Sequence, residues 1–299
     1  LRRPASRRFY QVETLIFGRA MERALHPERF IVGCADPRAP LPRTLVAFLG
    51  AFGCPVLPMR YESAELAKIA INMCLAASIS TANTIAELCE KIGADWGEIV
   101  PALRLDRRIG PHAYLAPGLG IAGGNLERDL VTFCGLADAH GTDTGVVRAW
   151  IANSRHRREW ALTQVHEHVL VRTPDPTLAV LGLAYKQDTA STKNSPSLGL
   201  LAALAPFAVR VYDPVVPPRP EFHPRLVRAA SALEACAGAD ALVIMTPWAE
   251  FRELQPEDIS GRLRGRTVID PYAILPADAC RAAGLDHVTL GSPISEVVP

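Results

Sequence analysis

This sequence of 299 residues contains few lysines. The features that the sequence lacks restrict the classes of function it can have. Four of its 32 Lys and Arg residues are lysines, and 28 are arginines. The formal net charge is +1, so no charge excess favours nucleic acid or an acidic membrane as a partner. The seven cysteines are spread singly without a C-x-x-C pair, which argues against a disulfide framework or a zinc site.

Long apolar runs are also lacking. No window approaches about 18 consecutive apolar residues, so we expect no membrane partner and no membrane helix. The first eight residues hold four arginines without an apolar run behind them, which indicates a solvated chain end and not a signal peptide. With thiols that suit a reducing compartment, this predicts a cytoplasmic protein. A hydrophobic content of 49% is typical of a globular chain with a sizeable core.

The first block, residues 1–60, contains two short apolar runs, at 30–34 and 55–59, each bounded by Pro or Gly. Such runs predict strands, and a helix is plausible between them at 42–52. Two strands and one helix are too few for a nucleotide-binding half-domain. We therefore expect the end of such a domain.

The second block, residues 61–170, is predicted to be helical. Apolar residues recur every three to four positions from 64 to 92, with a serine before and a glycine after them. A helix of this length suggests a spine shared by domains or subunits. Two more helices are predicted at 126–139 and 145–169.

The third block, residues 175–299, follows a Pro-rich linker and alternates strands with helices. This alternation predicts an α/β fold with a small parallel sheet and covering helices. The predicted strands are at 178–183, 209–212, 241–245 and 267–269, and the predicted helices at 198–204 and 230–236.

Residues 117–129 read P-G-L-G-I-A-G-G-N-L-E-R-D. This stretch resembles P-G-x-G-x-G-G-S-C-F-P-K-D of the UDP-glucose/GDP-mannose dehydrogenase family. Further stretches resemble motifs of the same family and occur in the family's order, at residues 11–20, 26–33, 65–72, 79–84, 106–110, 182–186, 195–196, 212–214 and 239–248. Single matches are weak, but this many in one order identify the chain as a member.

The resemblance implies three regions. Residues 1–60 would be the C-terminal remnant of an NAD-binding Rossmann domain, 61–170 a central helical domain that forms a homodimer through its long helix, and 175–299 a Rossmann-like domain that binds the UDP-sugar. The family's opening strand and G-x-G-x-x-G turn do not precede Glu13, so we expect an N-terminally truncated chain without the main NAD platform. A literal G-x-G-x-x-G at 118–123 lacks the preceding strand, and we interpret it as the substrate loop.

The family oxidises the C6 hydroxyl of a nucleotide sugar to a carboxylate in two hydride transfers to NAD. Three residues that support its first step are present as Lys68, Asn72 and Asp129, and Glu13 keeps a further motif position. Lys68 and Asn72 are four apart and so share a helix face, and a lysine can stabilise a developing alkoxide. Lysines kept at motif positions of an arginine-rich chain suggest a retained role, although inheritance alone would also explain them.

Substrate-binding positions follow from the same resemblance. They are Arg108, which would reach the partner subunit's substrate, the loop glycines Gly118, Gly120, Gly123 and Gly124, and Lys186. Lys193 stands where the family has an arginine and is a weaker candidate on the cofactor side.

The catalytic cysteine of the family is replaced by Asn125. An amide has no thiolate and cannot form the covalent intermediate of the second oxidation. Further departures from the family pattern are Phe17, Thr84, Glu127-Arg128, Ala190-Ser191, Lys193 and Pro271-Tyr272-Ala273. Several changes around one site indicate relaxed or redirected selection.

Other candidates favour structural interpretations. Cys74 and Cys134 are not placed by spacing at the sugar C6, and buried thiols are the favoured interpretation. His166 and His168 diverge on a helix and have no evident third metal ligand, so no metal is expected. Residues 155–158 form an arginine-rich run that we expect to be solvated, with a phosphate contact as the alternative.

Two functions remain open. The first is an NAD-dependent nucleotide-sugar dehydrogenase acting on a UDP- or GDP-sugar, impaired in or lacking the aldehyde-to-acid step. The second is a non-catalytic nucleotide-sugar-binding or dimerisation relative. Asn125 favours the second, whereas Lys68, Asn72 and Asp129 favour the first.

Overall fold

The computed structural model describes residues 7–15 and 18–293 and divides the chain into two compact units, one up to Cys74 and one from Leu75 onward. Arg2, Arg3 and Phe17 lie outside the described residues. The unit boundary falls inside a long helix. The three predicted domains, with boundaries near residues 60 and 170, remain predictions.

A three-stranded sheet organises the N-terminal unit, in the order β1-β2-β3. The central strand pairs antiparallel with β1 and parallel with β3. Both of its faces are covered: Ile31 packs with Ala64 on one side, and Phe30 packs with Leu49 on the other. A strand buried on both faces is a continuous apolar run, as the sequence predicted. The elements are β1 (Tyr10–Gln11), α1 (Ala20–Leu25), β2 (Phe30–Cys34), α2 (Arg43–Gly50) and β3 (Val56–Arg60).

The predicted long helix is α3 (Tyr61–Ile92), with 32 residues. Its most apolar 18-residue window has a mean hydropathy of 1.4, and 33% of that window is buried, so α3 is long and apolar enough to cross a membrane by length and composition. This corrects the expectation that no window approaches a membrane helix. Alanines and isoleucines keep the mean high, whereas interspersed Ser, Thr and Asn leave no unbroken apolar run.

Shorter helices follow in the C-terminal unit: α4 (Trp96–Leu105), α5 (Asn125–Ala139), α6 (Gly145–Arg158) and α7 (Trp160–Val165). The single helix predicted at 145–169 is wrong. The helix is interrupted at Glu159, between α6 and α7, and α7 continues as a π-helical turn over His166–Leu170. The sequence did not predict α4, which contains Pro101 within its span.

Six strands, all parallel, form the sheet of the C-terminal unit in the order β6-β5-β4-β7-β8-β9. This confirms the predicted α/β class and its four predicted strands. The two outermost strands are mostly exposed or half-buried, so they lack a buried apolar run and were not predicted. The strands are β4 (Thr177–Leu181), β5 (Ala208–Tyr212), β6 (Leu226–Arg228), β7 (Ala241–Ile244), β8 (Thr267–Ile269) and β9 (Asp286–Val288), and the helices are α8 (Pro196–Ala203), α9 (Ala232–Cys236), α10 (Pro256–Ser260) and α11 (Ala277–Ala282).

Because the strands are parallel, all their carboxyl ends meet at one edge, which we call the carboxyl edge, and their amino ends form the amino edge. The chain runs from β4 to β5 on one side and later places β7 on the other side of β4. The strand order thus reverses direction beside β4. In open parallel sheets, ligands bind outside the carboxyl ends at such a reversal.

Candidate functional site

The glycine-rich loop, residues 117–124, is held by α3 and α6. The amide of Gly118 donates to Oδ1 of the buried Asn83 at 2.8 Å, and the amide of Ile121 donates to Oγ of Ser154 at 2.7 Å. Gly120 has φ +72°, and a Cβ there would lie 2.2 Å from the carbonyl oxygen of Ser154. Only glycine fits this position, because a side chain would meet both backbone strain and a backbone atom.

The end of this loop contacts the segment that follows β4. A Cβ at Gly123 would lie 2.9 Å from the Tyr185 ring, and Nδ2 of Asn194 donates to the carbonyl oxygen of Gly123 at 2.8 Å. The side chain of Lys193 lies over Gly124, where Nζ would be 2.8 Å from a Cβ. The structure therefore brings together two predicted stretches that are about 60 residues apart in sequence.

Helix α5 begins at Asn125, directly after the loop. Asn125 is exposed, and its preceding residue, Gly124, supplies no side-chain cap. Asp129 lies one turn further along the helix, where it is buried, and the Arg128 guanidinium lies 3.2 Å from its carboxylate. The amide of Asn125 can donate and accept hydrogen bonds, but it cannot act as a nucleophile in acyl chemistry.

The segment after β4 is anchored on the carboxyl edge by the buried Asp213. Oγ1 of Thr246 adds a bond of 2.6 Å to the carbonyl oxygen of Ala184. This anchoring fixes the backbone that carries the two candidate lysines, Lys186 and Lys193. The Asp213 carboxylate accepts five hydrogen bonds, from the indole of Trp248 and from the amides of Leu183, Ala184, Val215 and Val216.

Tyr185 and Lys186 are partly desolvated at this edge. Burial raises the pKa of the Tyr185 hydroxyl. Burial also lowers the pKa of the Lys186 ammonium, and nearby Asp188 opposes this effect. The Lys186 Nζ lies 5.9 Å from the centroid of the Tyr185 ring, within range of a cation–π contact. A desolvated lysine in this position is suited to an anionic ligand group.

The arginine-rich run at 155–158 was expected to be solvated, but one of its arginines is buried and a second is only partly exposed. Arg157 is 1% exposed and lies 3.1 Å from Glu90 and 3.3 Å from Glu87. Arg158 lies 3.0 Å from Glu127 and donates to the carbonyl oxygen of Ile121. Arg158 therefore supports the loop and α5, whereas Arg157 pairs with two glutamates of α3. Residue spacing could not reveal this, since the partners lie on other elements.

Three predicted residues belong to the N-terminal unit. The Glu13 carboxylate accepts hydrogen bonds from the amides of Thr14 and Leu15, at 2.6 and 2.8 Å. Lys68 is half-buried and Asn72 is buried, four residues apart on α3. That spacing puts both on one helix face. Their convergence on Asp129 stays a prediction.

Arg108 is exposed and pairs with its neighbour Asp106 at 2.6 Å, which lowers the pKa of that carboxyl. Its role toward a partner subunit stays a prediction. None of the seven cysteines, all of which lie within the described residues, forms a disulfide. Cys134 is buried in α5, whereas Cys74 is exposed, so the expectation of a buried thiol is wrong for Cys74. His166 is exposed and His168 is half-buried, both on the π-helical turn that follows α7.

A cavity of about 490 Å³ lies at the amino edge of the six-stranded sheet, lined by His168 and three arginines among others. Arg264 pairs with Asp240 through two contacts of 2.5 and 2.6 Å. Arg172 and Arg266 lie 3.4 and 3.8 Å from Asp286. These guanidiniums already have carboxylate partners. Within the described ranges, no group of three His, Cys, Asp or Glu side chains could hold a metal ion.

Comparison with known proteins identifies a matching family and similar proteins. Residues 62–155 match the model of the UDP-glucose/GDP-mannose dehydrogenase family, central domain, and residues 179–277 match its UDP binding domain. A UDP-glucose 6-dehydrogenase of Rickettsia prowazekii is 30% identical over 288 residues, covering 94% of this chain and 66% of the relative. One of Pseudomonas aeruginosa is 31% identical over 292 residues, covering 94% and 64%.

Solved structures agree on the fold. A UDP-glucose dehydrogenase from Pyrobaculum islandicum superposes with a TM-score of 0.81 at 25% identity, covering 96% of this chain and 64% of that protein. A UDP-D-ManNAc dehydrogenase from Pyrococcus horikoshii gives 0.77 at 24% identity, covering 95% and 65%. The chain thus spans slightly less than two thirds of the length of these relatives.

Proposed function

Because the chain belongs to the UDP-glucose/GDP-mannose dehydrogenase family, we propose that it binds a nucleotide sugar through its C-terminal unit. The carrying observation is the contact of the glycine-rich loop with the segment after β4, at the point where strand order reverses. Gly118, Gly120, Gly123 and Gly124 let the backbone approach the ligand, and Lys186 offers a cation. The match to the UDP binding domain over residues 179–277 supports uridine as the nucleotide.

We further propose that this chain does not carry out the aldehyde-to-acid step. Asn125 occupies the position of the family's nucleophile, and its amide cannot attack an aldehyde as a thiolate does. Cys134 is buried and lies nine residues further along α5, so it does not supply a replacement at the loop. Binding of a nucleotide sugar does not need the missing thiol, so these two points are compatible with a non-catalytic binding role.

A first-step oxidation is the second candidate, and the pair Lys68 and Asn72 favours it. Both lie on one face of α3, and the half-buried ammonium could stabilise an alkoxide at the sugar C6. Asp129 would complete this group by holding a water, and Glu13 would support the same site. This candidate would yield one aldehyde for each sugar.

The described part of the N-terminal unit, residues 7–15 and 18–74, does not fit an NAD platform. It contains strands β1 to β3 but no glycine-rich turn from a strand into a helix, the feature that cradles a pyrophosphate. No step is therefore assigned to NAD here. Lys193, the weak cofactor candidate, lies instead over the substrate loop.

The proposal extends to assembly and compartment. We propose a cytoplasmic homodimer through α3, whose large apolar side chains Leu66, Ile85, Leu88 and Ile92 are exposed. Arg108 would then reach the substrate of the partner subunit. Size-exclusion chromatography with light scattering measures the oligomeric state, and a monomer at micromolar concentration would contradict the homodimer.

Calorimetry on the full chain tests the binding role. UDP and UDP-glucose are titrated, with GDP-mannose as the comparison, and absorbance at the NADH wavelength is followed after addition of NAD. We expect UDP-glucose to bind without NADH formation, and Lys186→Gln to weaken it about tenfold because a charge-assisted contact is lost. Lys91→Gln, at the end of α3, is the matched control.

The alternatives give distinct results. One NADH per sugar would support the first-step dehydrogenase. Two NADH per sugar would contradict the assignment of Asn125. If neither UDP nor either nucleotide sugar binds, the binding role is refuted.

A further inference from the structure

Lys193 reaches the ligand loop only because residue 124 is a glycine. A Cβ at 124 would lie 2.8 Å from both Cε and Nζ of Lys193 and 3.0 Å from its Cδ. Real Cβ atoms do not approach other atoms that closely, so any side chain at 124 would displace the lysine. The family motif has serine at this position and arginine at 193, so the two departures are coupled in space.

The ammonium of Lys193 is available to a ligand. Lys193 is exposed, and no carboxylate among the described residues pairs with it. The nearby carboxylate of Asp129 is buried and has the guanidinium of Arg128 at 3.2 Å. Asn125, the next residue along the loop, is also exposed and presents an amide that can donate. The family's thiol position thus carries an amide donor, and an ammonium lies over the residue that precedes it.

The replacement of the family's thiol by Asn125 changes the electrostatic preference of the position. A thiolate repels a carboxylate, whereas an ammonium and an amide N–H both attract one. The partly buried Lys186 lies over the ring of Tyr185, which itself contacts Gly123, and adds a second positive charge near the same loop. A primary hydroxyl would gain less from these donors, because it carries no charge that attracts the ammonium, whereas a carboxylate is both a stronger acceptor and an opposite charge.

We infer that this site selects nucleotide sugars that carry a carboxylate at C6, nucleotide uronates, over those that carry a hydroxymethyl group, and that Lys193 determines this specificity. The inference rests on the proposed nucleotide-sugar binding, which places the sugar C6 beside Asn125. It makes the chain a binder of the oxidised sugar, a role distinct from oxidising the alcohol.

Titration calorimetry on the full chain, at 0.15 M salt and neutral pH, tests the inference with UDP, UDP-glucose and UDP-glucuronate. We expect UDP-glucuronate to bind about tenfold more tightly than UDP-glucose, the gain of a charge-assisted contact. Lys193→Gln should bring this ratio close to one. Gly124→Ser should lower it as well, because the serine side chain displaces the lysine.

Lys91→Gln removes the same charge at the end of α3 and should leave the ratio unchanged. The affinity for UDP alone reports the integrity of the fold and of the nucleotide site in every variant. A wild-type ratio of one or less, or a ratio that survives Lys193→Gln while UDP still binds, overturns the inference and leaves nucleotide binding intact. If UDP itself does not bind, the proposed function fails and this inference falls with it.

Discussion

The two edges of the six-stranded sheet both carry positive side chains, and they differ in how that charge is compensated. At the amino edge, Arg264 pairs with Asp240, and Arg172 and Arg266 share Asp286 around a cavity of about 490 Å³. At the carboxyl edge, Lys193 lies against the ligand loop with no ion pair among the described residues. The comparison teaches that an uncompensated charge, more than a large cavity, marks the place for an anionic ligand.

The edges also differ in how carboxylates are used. At the amino edge, Asp240 neutralises a guanidinium. At the carboxyl edge, Asp213 accepts backbone amides and an indole N–H and holds the ligand-facing segments in place. The first carboxylate compensates charge, whereas the second fixes the chain. Two substitutions of these carboxylates and one in the ligand loop test the comparison between the edges.

Asp213→Ala should have the largest effect. It leaves five donors at a buried position without their acceptor, and we expect a loss of about 4 kcal/mol in the free energy of unfolding. Urea denaturation followed by circular dichroism measures it. Asp213→Asn keeps the size but offers one acceptor oxygen, so it should recover part of the loss. A change below about 1 kcal/mol for Asp213→Ala would contradict the anchoring role.

Gly120→Ala tests the ligand loop at the carboxyl edge. A methyl group there meets φ +72° and the Ser154 carbonyl oxygen at 2.2 Å, so we expect a loss of about 3 kcal/mol in stability and weaker nucleotide binding. Gly118→Ala is the matched control, because nothing lies within 4 Å of its Cβ. It should change stability by no more than about 0.5 kcal/mol. Equal losses of stability in both variants would refute this loop geometry.

Asp240→Asn should have the smallest effect, about 1 kcal/mol at neutral pH, because exposed Arg264 is its main partner. The hydrogen bond from Arg264 lowers the pKa of Asp240 in the folded state. A lowered folded pKa stabilises above the unfolded value of about 3.9, and this contribution is lost as the pH falls through the folded pKa.

Wild type and Asp240→Asn should therefore differ in stability at pH 7 and converge in strongly acidic solution. Thermal unfolding across this pH range measures the difference. Asp278→Asn, in an exposed pair with Arg281, is the control and should differ little from wild type at any pH. A constant difference between wild type and Asp240→Asn at all pH values would refute the charge-compensating role.

Sequence periodicity sufficed for the long helix α3, for strand β2 and for the four central strands of the C-terminal sheet. Each of these has an apolar pattern set by its own burial. The outermost strands β6 and β9 were not predicted, because they are mostly exposed or half-buried and lack the buried apolar run of β8, which is equally short. The helix predicted at 145–169 was wrong at Glu159, since its break and the following π-helical turn depend on packing.

The sequence by itself determined the family, the α/β class and the loss of the thiol at Asn125, because these depend on residue identity and order. Tertiary structure alone decided that Lys193 lies over Gly124, that Asp213 anchors the segment after β4, and that Arg157 is buried between Glu87 and Glu90. Each of these contacts joins residues 29 to 70 positions apart. No local period encodes such a contact, so only the folded chain brings its partners together.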